Sequence, residues 1–166
     1  MDTDTLDSSA YVYSAYIRTT PEELWRALTD PDLTRRYWGV TFVTDWITGS
    51  PMVWEEGGRT TSDPAQVVLV AEPGRRLSYT WHTFTPEWAH AVGIDDDLYI
   101  RLVEEGRSKV TYEIEPAGDM VKLTVVHDDL KASGTIRGLV SEGWPALVSS
   151  LKSLLETGEE LPEVPR

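Results

Sequence analysis

Apolar and polar residues alternate with a period of two through several short stretches of this 166-residue chain. Segment 9–19 (SAYVYSAYIRT) is aromatic and β-branched and predicts a strand. Val40, Phe42, Thr44 and Trp46 alternate with Thr41, Val43, Asp45 and Ile47 up to a turn at Gly49-Ser50-Pro51. Met52, Val53 and Trp54 predict the next strand, ended by Gly57-Gly58, and 65–71 (AQVVLVA) another, turned by Glu72-Pro73-Gly74. Leu77, Tyr79 and Trp81 alternate with Ser78, Thr80 and His82, so one of Trp81 and His82 is expected to point inward and the other outward. Val110, Tyr112 and Ile114 alternate with Thr111, Glu113 and Glu115. A turn at 116–119 then leads into 120–127, where Leu123, Val125 and His127 share one face. Turns this short imply an antiparallel meander.

Helical signals sit before, within and after the meander. Thr20-Pro21-Glu22-Glu23 reads as N-cap, first helical position and capping box, and Leu24, Trp25 and Leu28 then lie on one face. Asp30-Pro31 starts a second short helix running to about Arg36. Residues 85–94 lead into 95–105 (DDDLYIRLVEE). That segment fits a strand through Leu98, Ile100 and Leu102, or a helix capped by Asp95; its acidic start and closing Glu-Glu-Gly favour the helix. From Ile136 to Leu155 the residues Ile136, Leu139, Val140, Trp144, Leu147, Val148, Leu151, Leu154 and Leu155 form a continuous helical stripe. Gly143 and Pro145 are expected to kink or restart it, and Gly158 to cap it. Such a helix needs a partner surface, and the curved meander is the one on offer. The fold class is therefore α+β, in one domain over 9–158, with 1–8 and 159–166 as flexible termini.

A formal net charge of −13 repels phosphate backbones and anionic lipid, which argues against nucleic acid and against polybasic membrane attachment. No apolar run is long enough to span a bilayer, and the acidic start MDTDTLDSS is unlike a signal or transit peptide, so a cytoplasmic location without membrane insertion is expected. Cysteine is absent, which removes disulfides, thiolate metal sites and cysteine nucleophiles. Motifs for hydrolase, zinc-protease, phosphate-loop or dinucleotide chemistry are also missing.

Four segments carry a family resemblance: PEELWRALTDPDLTRRYWG at 21–39, RRLSYTWH at 75–82, SKVTYEIEP with KLTVVHDD across 108–129, and GWPALVSSLKSLLETG at 143–158. Together they resemble the SRPBCC (START-like, Bet v 1-like) superfamily, and within it the branch of activator of heat-shock protein 90 ATPase homologue-like proteins, over roughly 10–158. The resemblance implies a helix-grip fold: a curved antiparallel sheet wrapped around the long C-terminal helix, two short helices after the first strand, and an apolar cavity between sheet and helix. Family functions include lipid or polyketide binding, aromatase and cyclase chemistry, and co-chaperone action. The chain departs from the short family pattern by an insertion at about 85–105, expected near the cavity mouth. It is also too short for the additional N-terminal domain of the eukaryotic co-chaperones, which leaves a chaperone partner open but disfavoured.

Seven Trp against two Phe is the compositional feature that bears on function. Trp38, Phe42, Trp46, Trp54, Tyr79, Trp81, Trp88, Tyr112 and Trp144 come from separate elements that this fold would gather, and with His127 they are the candidate ligand-binding residues. The competing reading is that the rings fill the space themselves. His127 and His82 are candidate catalytic residues: a histidine on the concave face can orient a ligand or act as a base, or can be a neutral core residue bonded to its surroundings. His90 is expected at the surface. Asp95, Asp96 and Asp97 read as a helix start rather than a calcium loop, and no metal set or cofactor is suggested. Arg18, Arg35, Arg36, Arg101 and Arg137 suit surface ion pairs, although a buried one would indicate an anionic head group. The leading expectation is a binding protein for a small hydrophobic, lipid-like or polyketide-like molecule. A cyclase, aromatase or hydrolase using a cavity histidine, and an interaction module or homodimer, stand as alternatives.

Overall fold

Local chemistry builds the helices where the sequence predicts them. The computed structural model of the chain describes residues 8–162; residues 1–7 and 163–166 of the expected flexible termini lie outside it. Thr20 Oγ1 accepts the backbone N–H of Glu23 and Pro21 occupies the first turn, which opens α1 (Pro21–Thr29). Asp30 does the same for α2 (Pro31–Tyr37) through Asp32 N–H. In the insertion, Thr85 caps α3 (Pro86–Val92) and Asp95 caps α4 (Asp96–Glu105), so 95–105 is a helix.

Seven strands form one antiparallel sheet in the order β1-β7-β6-β5-β4-β3-β2: β1 (Ser8–Ile17), β2 (Val40–Val43), β3 (Pro51–Glu56), β4 (Arg59–Glu72), β5 (Arg76–Thr80), β6 (Lys109–Ala117) and β7 (Met120–Lys131). From β3 to β7 each strand pairs with its predecessor, and the α1–α2 pair carries the chain from β1 across to the far edge. The register sets Tyr112 opposite Val125 and Ile114 opposite Leu123, so Val110, Tyr112, Ile114, Leu123, Val125 and His127 are all buried on the concave face.

Two strands differ from expectation. β2 stops at Val43 rather than Ile47, and Trp46 takes φ 58°, a left-handed conformation unusual for a large residue. Its indole N–H donates to Thr29 O at 3.2 Å, satisfying the carbonyl at the end of α1 that has no helical partner. β4 begins at Arg59, through a polar stretch containing Pro64 that carries no alternation signal. A bulge there shifts the pairing of β3 with β4 from Val53–Ser62 to Pro51–Val67. Buried Gln66 supplies what the ladder loses: its Nε2 donates to Met52 O and Thr61 O, and its Oε1 accepts Thr83 N–H.

α5 (Thr135–Thr157) runs as one helix through Pro145, so the restart expected there does not occur. Ile136, Val140, Trp144, Val148, Leu151 and Leu154 are buried against the sheet, and this packing outweighs the hydrogen bond that Pro145 cannot donate. Gly158 ends the helix at φ 84°, as predicted. In the tail after α5, Leu161 N–H donates to Ser150 Oγ and Glu160 pairs with Arg36. No helix among the described residues is long and apolar enough to cross a membrane.

The start of α5 has no cap of its own, because Gly134 has no side chain to offer. Glu105, at the end of α4, fills this role from 30 residues away by accepting Thr135 N–H at 2.7 Å and Ile136 N–H at 2.9 Å. A Cβ on Gly134 would lie 2.7 Å from Glu105 Oε1. Gly134→Ala should therefore expel the carboxylate and cost about 1–2 kcal/mol in urea denaturation. Glu105→Ala should cost a similar amount, and the double variant little more than either single one. Fully additive losses would show that the two residues do not act through one contact.

Candidate functional site

Aromatic rings from separate elements meet one another in a single cluster. Trp38, just after α2, packs on Phe42, Trp54, Trp81 and Trp144 with centroids 5.3 to 6.0 Å apart. Phe42–Trp54 and Trp54–Trp81 are closer, at 4.8 and 5.0 Å. Most of these pairs are edge-to-face or tilted, the geometries that ring quadrupoles favour.

Beside this cluster lies a cavity of about 1040 Å³. Its inner wall is Trp38, Trp54, Trp81, His82 and Trp144. Its outer wall is the insertion, through Phe84, Trp88, Val92, Ile94, Leu98 and Leu102. The flank of α5 carrying Leu139, Ala146 and Leu147 completes it, and Leu161 and Pro162 close one side. Leu139, 44% exposed, belongs to the apolar stripe but not to the core, so the stripe is wider than the sheet contact and its excess faces the hollow.

Of the candidate residues, Trp38, Trp54, Trp81, Trp88 and Trp144 line this cavity. Phe42, Trp46, Tyr79, Tyr112 and His127 do not: Phe42, Tyr79, Tyr112 and His127 are buried strand residues, and Trp46 packs against the core. The insertion, placed at the mouth by the sequence, forms a whole wall. Its apolar contributors Ile94, Leu98 and Leu102 were legible as one face of α4 but were not singled out as site residues, nor were Leu139 and Leu161.

The two buried histidines differ. His127 is 0% exposed and both nitrogens are used. Trp144 Nε1–H can only donate, and reaches His127 Nδ1 at 3.1 Å, so Nδ1 holds the lone pair. The proton of the neutral ring is then on Nε2, which donates to Ser108 Oγ at 2.8 Å. Burial depresses its pKa to about 4. His127 is thus an internal strut that fixes α5 to β7.

Trp81 and His82 do not take opposite sides as alternation predicted. β5 ends at Thr80, so the period-two rule lapses there, and both rings join the cluster with centroids 6.0 Å apart. His82 is 5% exposed, lies among Trp54, Phe84 and Trp88, and donates from Nδ1 to Thr83 O at 2.9 Å. Burial lowers its pKa to about 4, helped by the Arg107 charge and opposed by the Thr83 bond. His90 is exposed, as expected.

Several polar groups lining the cavity are held by other protein groups. Arg36 binds Glu160 and Gly158 O, Arg35 pairs with Asp32, and Trp88 Nε1–H donates to Glu56 at 3.1 Å. Tyr79 and Tyr112 share a hydroxyl hydrogen bond of 2.8 Å, and burial raises the pKa of both well above that of free tyrosine. Among the described residues no cluster of three His, Asp or Glu could hold a metal ion.

Comparison with known proteins agrees with this architecture. The sequence profile of the family described as Activator of Hsp90 ATPase homolog 1-like protein matches residues 18–156. A crystal structure of a Mesorhizobium loti protein superimposes with a TM-score of 0.69 at 25% identity, covering 89% of this chain and 97% of that one. The Aha1 dimer from Colwellia psychrerythraea gives 0.66 at 16% identity, covering 90% and 98%. CalU16 from Micromonospora echinospora gives 0.63 at 19% identity, covering 91% and 78%. The last two likenesses establish the shared fold. No curated protein matches the chain.

Proposed function

The chain belongs to the Activator of Hsp90 ATPase homolog 1-like family, and on that premise we propose that it binds a small hydrophobic or amphipathic molecule in the cavity between the tryptophan wall, α5 and the α3–α4 insertion. The observation that carries this reading is the cavity itself: about 1040 Å³, at the upper end of what drug-sized ligands need, walled largely by five indoles and aliphatic residues, with Arg35, Arg36, Glu56, Asp95 and Glu142 also lining it. Burial of apolar ligand area would supply affinity, at roughly 25 cal/mol per Å² before the costs of association.

Binding is favoured over turnover by the state of the histidines. His127 is sealed from the cavity, with both nitrogens engaged. His82 borders it, but a base with a pKa of about 4 has little affinity for a proton drawn from carbon or water near neutrality. Its Nδ1 is held by a backbone carbonyl rather than by a carboxylate that would raise its basicity.

The test is titration with Nile red, an uncharged dye chosen because a net charge of −13 would bias an anionic probe. Saturable 1:1 binding with dye enhancement is expected. Ala146→Trp, which places an indole in the hollow, should weaken binding at least about tenfold while leaving the midpoint of unfolding nearly unchanged. Non-saturable binding, or equal binding by the filled variant, would refute the cavity reading.

A further inference from the structure

Two neighbouring rings of the cavity wall, Trp54 and His82, each carry a nitrogen with no hydrogen-bond partner among the described residues. Trp54 is 2% exposed and lines the cavity, yet its buried Nε1–H has no acceptor among the described residues. Other indoles of the cluster are satisfied: Trp46 on Thr29 O, Trp88 on Glu56 and Trp144 on His127. An orphaned N–H of this kind costs on the order of 1–3 kcal/mol, which is uncommon in a well-packed interior.

The neighbouring ring is His82, with centroids 4.9 Å apart and planes inclined at 56°. It also lines the cavity. Since Nδ1 spends its proton on Thr83 O, Nε2 carries a lone pair, and no hydrogen bond is found to it among the described residues. Trp88, tilted, and Phe84, edge-on, also pack against this imidazole at 4.7 and 5.1 Å.

We propose that Trp54 Nε1–H and His82 Nε2 form a donor–acceptor pair that selects ligands carrying a neutral hydroxyl, an alcohol or a phenol, on an otherwise apolar body. A hydroxyl oxygen accepts from the indole while its hydrogen is donated to the imidazole, so one group satisfies both. A ketone or carboxylate would satisfy only Trp54 and present a lone pair to Nε2, and an ammonium would satisfy only His82. Burial keeps His82 neutral at physiological pH, so the acceptor persists there. This assignment rests on the cavity-binding reading above and narrows its substrate class.

The experiment compares 2-naphthol with naphthalene, which share a ring system and differ by one hydroxyl, as competitors of Nile red on the full chain at neutral pH. The expected result is at least about tenfold tighter binding of 2-naphthol. His82→Phe and Trp54→Phe, which keep a ring but remove the acceptor or the donor, should each reduce that preference to less than about threefold, with naphthalene affinity held within the same factor. Equal binding of the two compounds by the unaltered chain, or a preference that survives in both variants, would overturn the proposal and assign the Trp54 N–H to the face of Phe42, 4.8 Å away. If neither compound displaces the dye while the dye itself binds saturably, the hydroxyl pair is refuted and the cavity reading stands. If the dye does not bind either, both fall.

Discussion

Lowering the pH from 6.5 to 4 should remove roughly 3 kcal/mol of stability for each of His82 and His127, and so unfold a chain of ordinary stability. The unfolded imidazoles take up protons as the pH falls through about 6.5, whereas the folded ones, buried and neutral, resist until about 4. In that window the unfolded state binds more protons, so stability falls as pH falls. It is at its maximum above 6.5, and these two groups cost nothing further below 4. The carboxylates of Asp63, Glu156 and Glu160 are held below their usual range by hydrogen bonds, chiefly from the backbone, and their contribution is lost only lower, as the pH drops past ordinary carboxylate values. Shedding part of the net charge of −13 works the other way and stabilises the compact state modestly. Urea denaturation from pH 7.5 to 4.5 measures the slope. The double variant His82→Phe/His127→Gln should flatten it, since glutamine can still accept from Trp144 and donate to Ser108 without titrating. An unaltered slope in that variant would show that these histidines do not drive acid unfolding.

Trp144→Ala should be the most destabilising single truncation among the cavity-wall residues, at about 3–5 kcal/mol. Trp144 is 3% exposed, lies at the middle of α5, and touches Trp38, Trp81, Tyr112 and His127. Its removal deletes those contacts and strands His127 Nδ1 without a donor. Trp144→Phe retains most of the ring and loses the N–H, so it should cost less, about 1–3 kcal/mol, and serves if the alanine variant does not fold. Because the lost bond favoured neutral His127, the Phe variant should also raise the His127 pKa, visible as a shifted imidazole titration by NMR. A loss under about 1 kcal/mol for Trp144→Ala would mean that α5 is held by its aliphatic residues instead.

What could be read from the chain, and what could not, divides along physical lines. Thr20-Pro21, Asp30-Pro31, Asp95 and Gly158 mark helix ends because capping is settled within a few residues. The inward faces of β6 and β7 are visible because alternation is local too. β4 between Arg59 and Pro64 was missed because its pairing is imposed by β3 through the Gly57-Gly58 hairpin and by Gln66, not by its own pattern. The positions of Trp46, Trp81 and His82 were misread because alternation was carried past the last residue of a strand, and no local signal in the sequence marks that residue.

The same division runs through the site. The sequence alone established the kinds of element, the faces they bury, and a tryptophan-rich aromatic set drawn from separate elements, since periodicity and composition are properties of neighbouring residues. Which indoles border open volume and which pack solid, which histidine is spent as a strut and which keeps a free nitrogen, and that Glu105 caps a helix 30 residues away were decided by tertiary structure. Those outcomes depend on how volumes and hydrogen-bond partners from distant parts of the chain meet, and no stretch of sequence contains both halves of such a contact.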